Sequence, residues 1–306
     1  MKEVAILHTI SEIQKLKIER DAVILAHYYQ RPEVQEIADY VGDSFALSKL
    51  AKELPHAVIV FCGVHFMAES AKILSPQKTV LLPERNAGCP MADMVTAEDV
   101  LSLRQKHPNA AVVSYVNSTA GVKAVSDICC TSSNAIRVVN SLEQDEIIFI
   151  PDQNLGHYVA GKVPHKKIIL FDGYCITHHR VTIEDVQKAR AAQLDAVFVV
   201  HPECKPAVVA LADFAGSTAE IIDYVTHSDG KTFIIGTEMG VLHEIQKRNP
   251  LKKLYMLSSG LICPNMKKTT LENVFEALQY NQYEMKLDNS TIDKARQAFS
   301  RLPASP

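Results

Sequence analysis

The chain has 306 residues, of which 47% are hydrophobic and 22% are charged, and its formal net charge is −3. This composition is that of a folded globular protein and excludes a disordered chain, a collagen-like chain and a coiled coil. The slightly acidic balance gives no indication of a nucleic acid or of an anionic membrane as a partner.

The first segment of the chain predicts an amphipathic helix over residues 1–19 rather than a targeting signal. It lacks the long apolar core and the small-residue cleavage site of a signal peptide. No apolar run in the chain approaches the roughly 18 residues that a membrane-spanning helix needs. We therefore expect a cytoplasmic protein, in which the seven cysteines do not form structural disulfides.

Apolar, β-branched runs then alternate with helix-like stretches along the rest of the chain. These runs stand at residues 22–28, 57–61, 111–116, 146–150, 196–200 and 231–235. Short apolar runs separated by amphipathic segments are typical of buried parallel strands joined by crossover helices. The pattern predicts an α/β fold.

An internal repeat organises these elements. It is visible in polar strand ends (His27, Tyr115, His201), in helix starts (Ser44, Ser132, Thr218) and in cysteines (Cys89, Cys175, Cys263). Neighbouring members of each set are 86 or 88 residues apart, which gives a pseudo-threefold repeat of about 87 residues. Copies this small would be marginally stable alone, so we expect them to pack around a shared centre.

The repeat predicts three similar αβα domains around one active site. Their boundaries are 20–107, with the N-terminal helix 1–19 before it, then 108–194 and 195–282, and a C-terminal helical extension covers 283–306. Ligands of such folds bind at the carboxyl ends of the parallel strands. Three sets of strand-end loops are therefore expected to form the site together.

The three repeated cysteines each follow an apolar run and a glycine. A single cysteine at such a place is most often a small core residue, but three in register indicate a site with three thiolate ligands. Zinc normally takes four ligands, or three and a water. An iron–sulfur cluster held by three thiolates leaves one iron open to substrate. The spacing favours the cluster over zinc and leaves both possible.

The helix starts and strand ends add groups that bind anions and move protons. Helix N-termini favour anions, and Gly216-Ser217-Thr218 is the sharpest of the three, because glycine allows close approach and two hydroxyls follow. The strand ends offer acid–base and hydrogen-bonding side chains at His27, Tyr29, Tyr115, Asn117, His201 and Glu203. His178 and His179, just past Cys175, are further candidates.

The chain resembles the quinolinate synthase family in segments that span nearly its whole length. They are AHYYQRPEVQEIADYVGDSFALSKLA, RNAGCPMADM, SYVNSTAGVKAVSDICCTSSNA, PDQNLGHYVAG, VHPECKPAVVALADFAGSTAEII, IGTEMGV and ICPNMKKTTLENV. The resemblance implies three αβα domains around a [4Fe–4S] cluster. It also implies the condensation of iminoaspartate with dihydroxyacetone phosphate to quinolinate, phosphate and water in NAD biosynthesis, with an L-aspartate oxidase or aspartate dehydrogenase supplying the iminoaspartate.

The resemblance implies roles for individual residues as well. The cluster ligands fall on Cys89, Cys175 and Cys263, and the open iron would act as a Lewis acid in dehydration. Substrate-binding positions fall on His27, Ser44, Tyr115, Asn117, Ser132, His178, Ser217 and Thr218, of which Ser217 and Thr218 would hold the phosphate. Tyr29, His201 and Glu203 are the expected proton-transfer residues, with acid and base not assigned among them.

Three other interpretations remain open from the sequence alone. The first is another cluster-dependent hydro-lyase that acts on a small di- or tricarboxylate. The second is a non-catalytic iron–sulfur or zinc sensor, although a sensor has no need for so many polar strand ends. The third is a metal-free phosphosugar enzyme in which the three repeated cysteines are core residues.

Overall fold

The computed structural model describes residues 2–300 and shows an α/β protein with three four-stranded parallel sheets. The predicted fold class is confirmed. Met1 of the predicted N-terminal helix and residues 301–306 of the predicted C-terminal extension lie outside the described residues. None of the helices within that range has the length and hydropathy that a membrane crossing requires.

The chain divides into two compact units. One contains the residues up to Cys89 together with Cys263–Arg296, and the other contains Pro90–Ile262. The first unit holds one of the sheets and the second unit holds two. The boundaries of the three predicted αβα domains stay a prediction.

The first sheet is built on two fully buried strands. Its strands are β1 (Ala22–His27), β2 (Tyr40–Gly42), β3 (Val58–Cys62) and β4 (Thr79–Leu81), in the spatial order β2-β1-β3-β4. The helices are α1 (Lys2–Glu19), α2 (Pro32–Ile37), α3 (Ser44–Glu53) and α4 (His65–Leu74). Every residue of β1 and β3 is buried, as the continuous apolar runs predict for parallel strands covered by helices.

The second sheet has the same strand order. Its strands are β5 (Ala111–Tyr115), β6 (Ile128–Cys130), β7 (Glu146–Ile150) and β8 (Lys167–Leu170), in the order β6-β5-β7-β8. The helices are α5 (Ala97–Lys106), α6 (Ala120–Ala124), α7 (Ala135–Ser141), α8 (Gln153–Lys162) and the short α9 (Ile176–His179).

The third sheet repeats the order again. Its strands are β9 (Val197–Val200), β10 (Phe214–Ala215), β11 (Thr232–Gly236) and β12 (Lys253–Met256), in the order β10-β9-β11-β12. The helices are α10 (Ile183–Ala192), α11 (Pro206–Val209), α12 (Thr218–His227) and α13 (Val241–Arg248).

Two helices follow the third sheet, α14 (Leu271–Tyr280) and α15 (Asn289–Ser300). The predicted boundaries assign α14 to the third repeat, but its apolar face packs in the core of the first sheet. Val274 and Leu278 there join Ile13 of α1 and Ile24 of β1 in one buried cluster. The helix thus covers the first sheet on the same side as α1.

An aspartate supports each sheet in the same way. Asp39, Asp127 and Asp213 each accept the backbone N–H of a residue in the central strand, at 2.9, 2.8 and 2.7 Å. Each carboxylate also pairs with a basic side chain, which is Lys17, Arg104 and Arg190 in turn. The aspartates are 88 and 86 residues apart, so the sequence repeat is a repeat of hydrogen bonds as well.

The helix starts agree with the predicted positions in two repeats of the three. α3 begins at Ser44, where Asp43 accepts the N–H of Ala46, and α12 begins at Thr218. α7 begins later, at Ala135 rather than at Ser132. The side chain of Asn134 accepts the N–H of Thr131 at 2.7 Å and closes a separate turn before the helix.

Candidate active site

A buried polar cluster lies at the carboxyl ends of strands in the second unit. The Tyr115 hydroxyl, at the end of β5, donates to Oε1 of Glu203, which follows β9, at 2.8 Å. His178 Nδ1, in α9, lies 2.9 Å from Glu203 Oε2 and 3.2 Å from Cys175 Sγ. Tyr115, His178 and Glu203 are 5%, 1% and 3% exposed. A carboxylate buried this deeply requires such partners.

The ring orientation of His201 is fixed by the backbone. Its Nδ1 accepts the N–H of Glu203 at 3.2 Å, so the neutral ring carries its proton on Nε2. The His201 ring also lies beside His178, with ring centroids 4.9 Å apart. In the first unit, His27 Nδ1 accepts the N–H of Tyr29 at 3.1 Å in the same manner.

Burial and neighbouring groups shift the pKa values of His201 and Glu203 in this cluster. Burial lowers the pKa of His201 to about 4. Burial alone would raise the pKa of Glu203, but the two histidines and the Tyr115 hydroxyl outweigh it and hold that pKa below its usual range. Burial thus favours the neutral form of His201, whereas the contacts of Glu203 favour its carboxylate form. Such a pair can accept a proton at one residue and offer an N–H at the other.

Three buried residues that the sequence analysis did not single out support this cluster. Thr237 Oγ1 lies 3.0 Å from His178 Nε2. Asn154 Nδ2 donates to the Glu203 carbonyl at 3.0 Å. Asp152 accepts the N–H of Cys175 at 2.9 Å, and burial, followed by the charge of Glu203, raises the pKa of its carboxyl.

A signal for these residues is present in the sequence. Asp152 and Asn154 follow β7, and Thr237 follows β11, so all three stand just past the third strand of a repeat. The strand-end candidates named from the sequence all stand at the first strand of a repeat. The same search at the third strands would have found them, because both ends lie on the same edge of a parallel sheet.

Asn117 and Ser132 complete the second repeat. The side-chain oxygen of Asn117 is buried, and no described residue gives it a hydrogen bond. Buried polar atoms in native proteins almost always have a partner, so this oxygen is suited to accept a hydrogen bond from a bound molecule. Ser132 is half-buried in the turn before α7.

Ser217 and Thr218 are both buried at the start of α12. A capping box closes this helix: Ser217 Oγ accepts the N–H of Glu220, and the Glu220 carboxylate accepts the N–H of Ser217 at 2.7 Å. A side chain on Gly216 would meet Phe214 at 2.8 Å, so the turn requires glycine. A phosphate at this turn has to replace the Glu220 carboxylate or use the N–H groups that follow.

The first unit contains the remaining strand-end candidates. His27 is buried and Tyr29 is half-buried, with their rings 4.6 Å apart in an edge-on arrangement, and Ser44 is half-buried at the first residue of α3. The segment after Cys263 is tied to this region, because Lys267 donates to the carbonyl of Tyr29. The next residue, Lys268, donates to the carbonyl of Asn86 in the loop before Cys89, at 2.7 Å.

The seven cysteines fall into two groups. The repeated ones (Cys89, Cys175 and Cys263) are half-buried, whereas the others (Cys62, Cys129, Cys130 and Cys204) are fully buried. Burial raises the pKa of each of these four thiols, that of Cys129 to about 12. Cys175 Sγ, the His178 ring and the Glu203 carboxylate also offer donor atoms within 4.8 Å of one another, which could hold a metal ion.

Comparison with known proteins identifies the family. The model of the family described as quinolinate synthetase A protein matches residues 11–303. A quinolinate synthase of Caldicellulosiruptor saccharolyticus is 58% identical over 291 residues, which cover 95% of this chain and 96% of that one. One from Alkaliphilus metalliredigens is 57% identical and covers 96% of this chain and 97% of that relative. The chain therefore belongs to the quinolinate synthetase A family.

Proposed function

We propose that the protein is a quinolinate synthase that acts in NAD biosynthesis. It condenses iminoaspartate with dihydroxyacetone phosphate and forms quinolinate, phosphate and water. The observation that carries this proposal is the identity of 51–58% to curated quinolinate synthases over nearly the full length of both chains. The reaction takes place in the cytoplasm, and an L-aspartate oxidase or an aspartate dehydrogenase supplies the iminoaspartate.

The cofactor in this proposal is a [4Fe–4S] cluster held by Cys89, Cys175 and Cys263. The donor chemistry supports it, since these three thiols are half-buried at equivalent positions while the other four are buried and kept protonated. Thiolates are the protein ligands that such clusters require. When bound, the cluster supplies a Lewis-acidic iron for the loss of a hydroxyl group.

Proton transfer in this proposal is divided between Glu203, His201 and Tyr29. The ionised Glu203 carboxylate accepts a proton from the iminoaspartate carbon that forms the new carbon–carbon bond. Tyr115 and His178 hold this carboxylate in place. His201 presents the N–H of Nε2 as a hydrogen-bond donor, because its Nδ1 is engaged by the backbone. Tyr29 offers a half-buried hydroxyl next to His27 as the second proton donor.

Substrate binding uses the remaining polar positions. Ser217 and Thr218 hold the phosphate of the triose at the start of α12. The carboxylates of iminoaspartate and of the intermediates are held by Ser44, Ser132 and His27, whereas His178 and Tyr115, which the resemblance assigns to substrate binding, are engaged by Glu203. The buried side-chain oxygen of Asn117 accepts a hydrogen bond from the substrate amine or hydroxyl groups.

The direct test is a quinolinate assay on protein that is purified and reconstituted with iron and sulfide without oxygen. Iminoaspartate is generated in the assay by an L-aspartate oxidase, dihydroxyacetone phosphate is added, and quinolinate is measured by chromatography. We expect quinolinate only when both substrates are present, and a large loss of rate in the Glu203→Gln variant. Cluster-loaded protein that forms no quinolinate with both substrates overturns the proposed function.

A further inference from the structure

The turns that follow β1 and β5 carry two of the candidate site residues, Tyr29 and Asn117, and a buried side chain from the next helix closes each turn. In the first turn, this side chain is Gln35 of α2, which is 4% exposed. Its Nε2 donates to the carbonyl of Gln30 at 2.9 Å and to the carbonyl of Tyr28 at 3.0 Å. These two carbonyls flank Tyr29.

In the second turn, the corresponding side chain is Lys123 of α6. It is fully buried, and its Nζ donates to the carbonyl of Ser118, which is buried as well. Lys123 follows Gln35 by 88 residues, and Ser118 follows Gln30 by the same interval. The two bonds therefore join equivalent positions of two repeats. The third repeat has Val209 at this position, 86 residues after Lys123, and valine has no donor.

The Ser118 turn is connected directly to Tyr115. Ser118 Oγ donates to the carbonyl of Tyr115 at 2.9 Å and lies 2.8 Å from Ser114 Oγ. Tyr115 in turn donates to Glu203, and Asn117 lies between Tyr115 and Ser118 in the chain. A movement of the Ser118 carbonyl therefore moves both Tyr115 and Asn117.

We propose that Lys123 and Gln35 are positioning residues that hold the two turns of the site in their active geometry. This inference rests on the proposed function. A buried carbonyl that loses its partner is costly, so the turn would change its conformation to find another donor. Because glutamine serves in one repeat and lysine in the other, the feature they share is a buried hydrogen-bond donor rather than a charge.

The structure supplies a matched control for Lys123. The Nζ of Lys166 also donates to backbone carbonyls, those of Leu142 and Gln144, at 2.6 and 2.9 Å. These carbonyls lie between α7 and β7, before the amino end of β7. Tyr115 and Asn117 lie at the carboxyl end of β5, which is the opposite edge of the same sheet. Removing this amine is expected to lower stability without changing the site.

The test compares K123M, K123Q and K166M in cluster-loaded protein, with quinolinate formation and the binding of quinolinate by calorimetry as readouts. We expect K123M to lower kcat/KM by about tenfold or more and to weaken quinolinate binding, whereas K123Q stays within about threefold of the unmodified protein. K166M is expected to lower the unfolding temperature with unchanged kcat/KM.

Several results would overturn the inference. They are an unchanged kcat/KM in K123M, a K123Q variant as impaired as K123M, and a loss in K166M as large as that in K123M. If K123M does not fold, Q35L in the first turn provides the same comparison, with an unchanged kcat/KM counting against the proposal. If the unmodified protein is inactive, the result contradicts the proposed function instead. The positioning role is then tested by comparing quinolinate binding between the unmodified protein and the variants.

Discussion

Tyr115 and Glu203 are 88 residues apart in sequence, and yet the hydroxyl of the first donates to the carboxylate of the second at 2.8 Å. A hydrogen bond to a buried charged group contributes about 1.5–3 kcal/mol. We therefore expect Tyr115→Phe to lower kcat/KM for quinolinate formation by roughly 10- to 100-fold. The exposed Tyr280→Phe variant is the control, and equal rates for the two variants would contradict the assigned role.

Thr237 holds His178 from the side opposite to Glu203, since its hydroxyl lies 3.0 Å from Nε2. Thr237→Val keeps the shape of the side chain and removes the hydroxyl. The loss of one neutral hydrogen bond is expected to lower kcat/KM by about tenfold, because the orientation of His178 is no longer fixed. Thr237→Ser should restore most of the activity; a serine variant that is as slow as the valine variant argues against this bond.

His201 gives a pH dependence of stability with a defined sign. Its pKa of about 4 in the folded protein is below that of an unfolded histidine, so the unfolded chain binds the proton more readily. The contribution of His201 to the free energy of unfolding is complete above about pH 6.5 and is lost as the pH falls toward 4.

This dependence can be measured by urea unfolding of the reduced, cluster-free protein. Between pH 7 and 5, the free energy of unfolding should fall by about 2 kcal/mol more in the unmodified protein than in His201→Gln. Parallel pH profiles for the two proteins would show that the pKa of His201 is the same in the folded and in the unfolded chain, and would contradict its lowered value.

The three half-buried cysteines are expected to account for the bound iron. Single replacements of Cys89, Cys175 and Cys263 by alanine should each strongly reduce iron and acid-labile sulfide per chain after anaerobic reconstitution. Cys204→Ala is the control, because Cys204 is buried and its burial raises its pKa. A single zinc, or iron that persists in all three variants, would exclude the proposed cluster.

Asp127 links the second sheet to its helices through the N–H of Val112 and the guanidinium of Arg104, both at 2.8 Å. Asp127→Ala leaves that N–H without its carboxylate acceptor and should lower the free energy of unfolding by about 1–3 kcal/mol. Denaturant unfolding measures this difference. The exposed Asp223→Ala variant should change stability by less than about 0.5 kcal/mol.

The repeat could be predicted because each copy places the same kinds of residue at the same strand and helix ends. His27, Tyr115 and His201 stand at 88- and 86-residue intervals, and each lies at or just past the carboxyl end of a central strand. The aspartates that support the sheets have the same spacing. Their role was not predicted, because a sequence does not show which backbone N–H a carboxylate accepts.

The residues that support the buried cluster could have been found at the third strand ends, but their contact partners could not. Thr237 meets His178 across 59 residues, and Asn154 meets the Glu203 carbonyl across 49. Such contacts depend on how the sheets pack within the second unit, and no local pattern encodes that packing. The start of α7 was misplaced for a local reason, since a separate turn, closed by the Asn134 side chain that accepts the N–H of Thr131, precedes the helix.

The burial of four cysteines has a consequence for the handling and maturation of this protein. A metal donor, an oxidant or an alkylating reagent reacts with an accessible thiolate, and Cys62, Cys129, Cys130 and Cys204 offer neither access nor an ionised sulfur. With the proposed cluster, the folded chain would therefore carry seven thiols and still direct iron delivery, and also oxidative damage, to the three that are half-buried. For the proposed cluster, folding before metal loading would give the chain this selectivity, since burial protects none of the seven sulfurs in an unfolded chain.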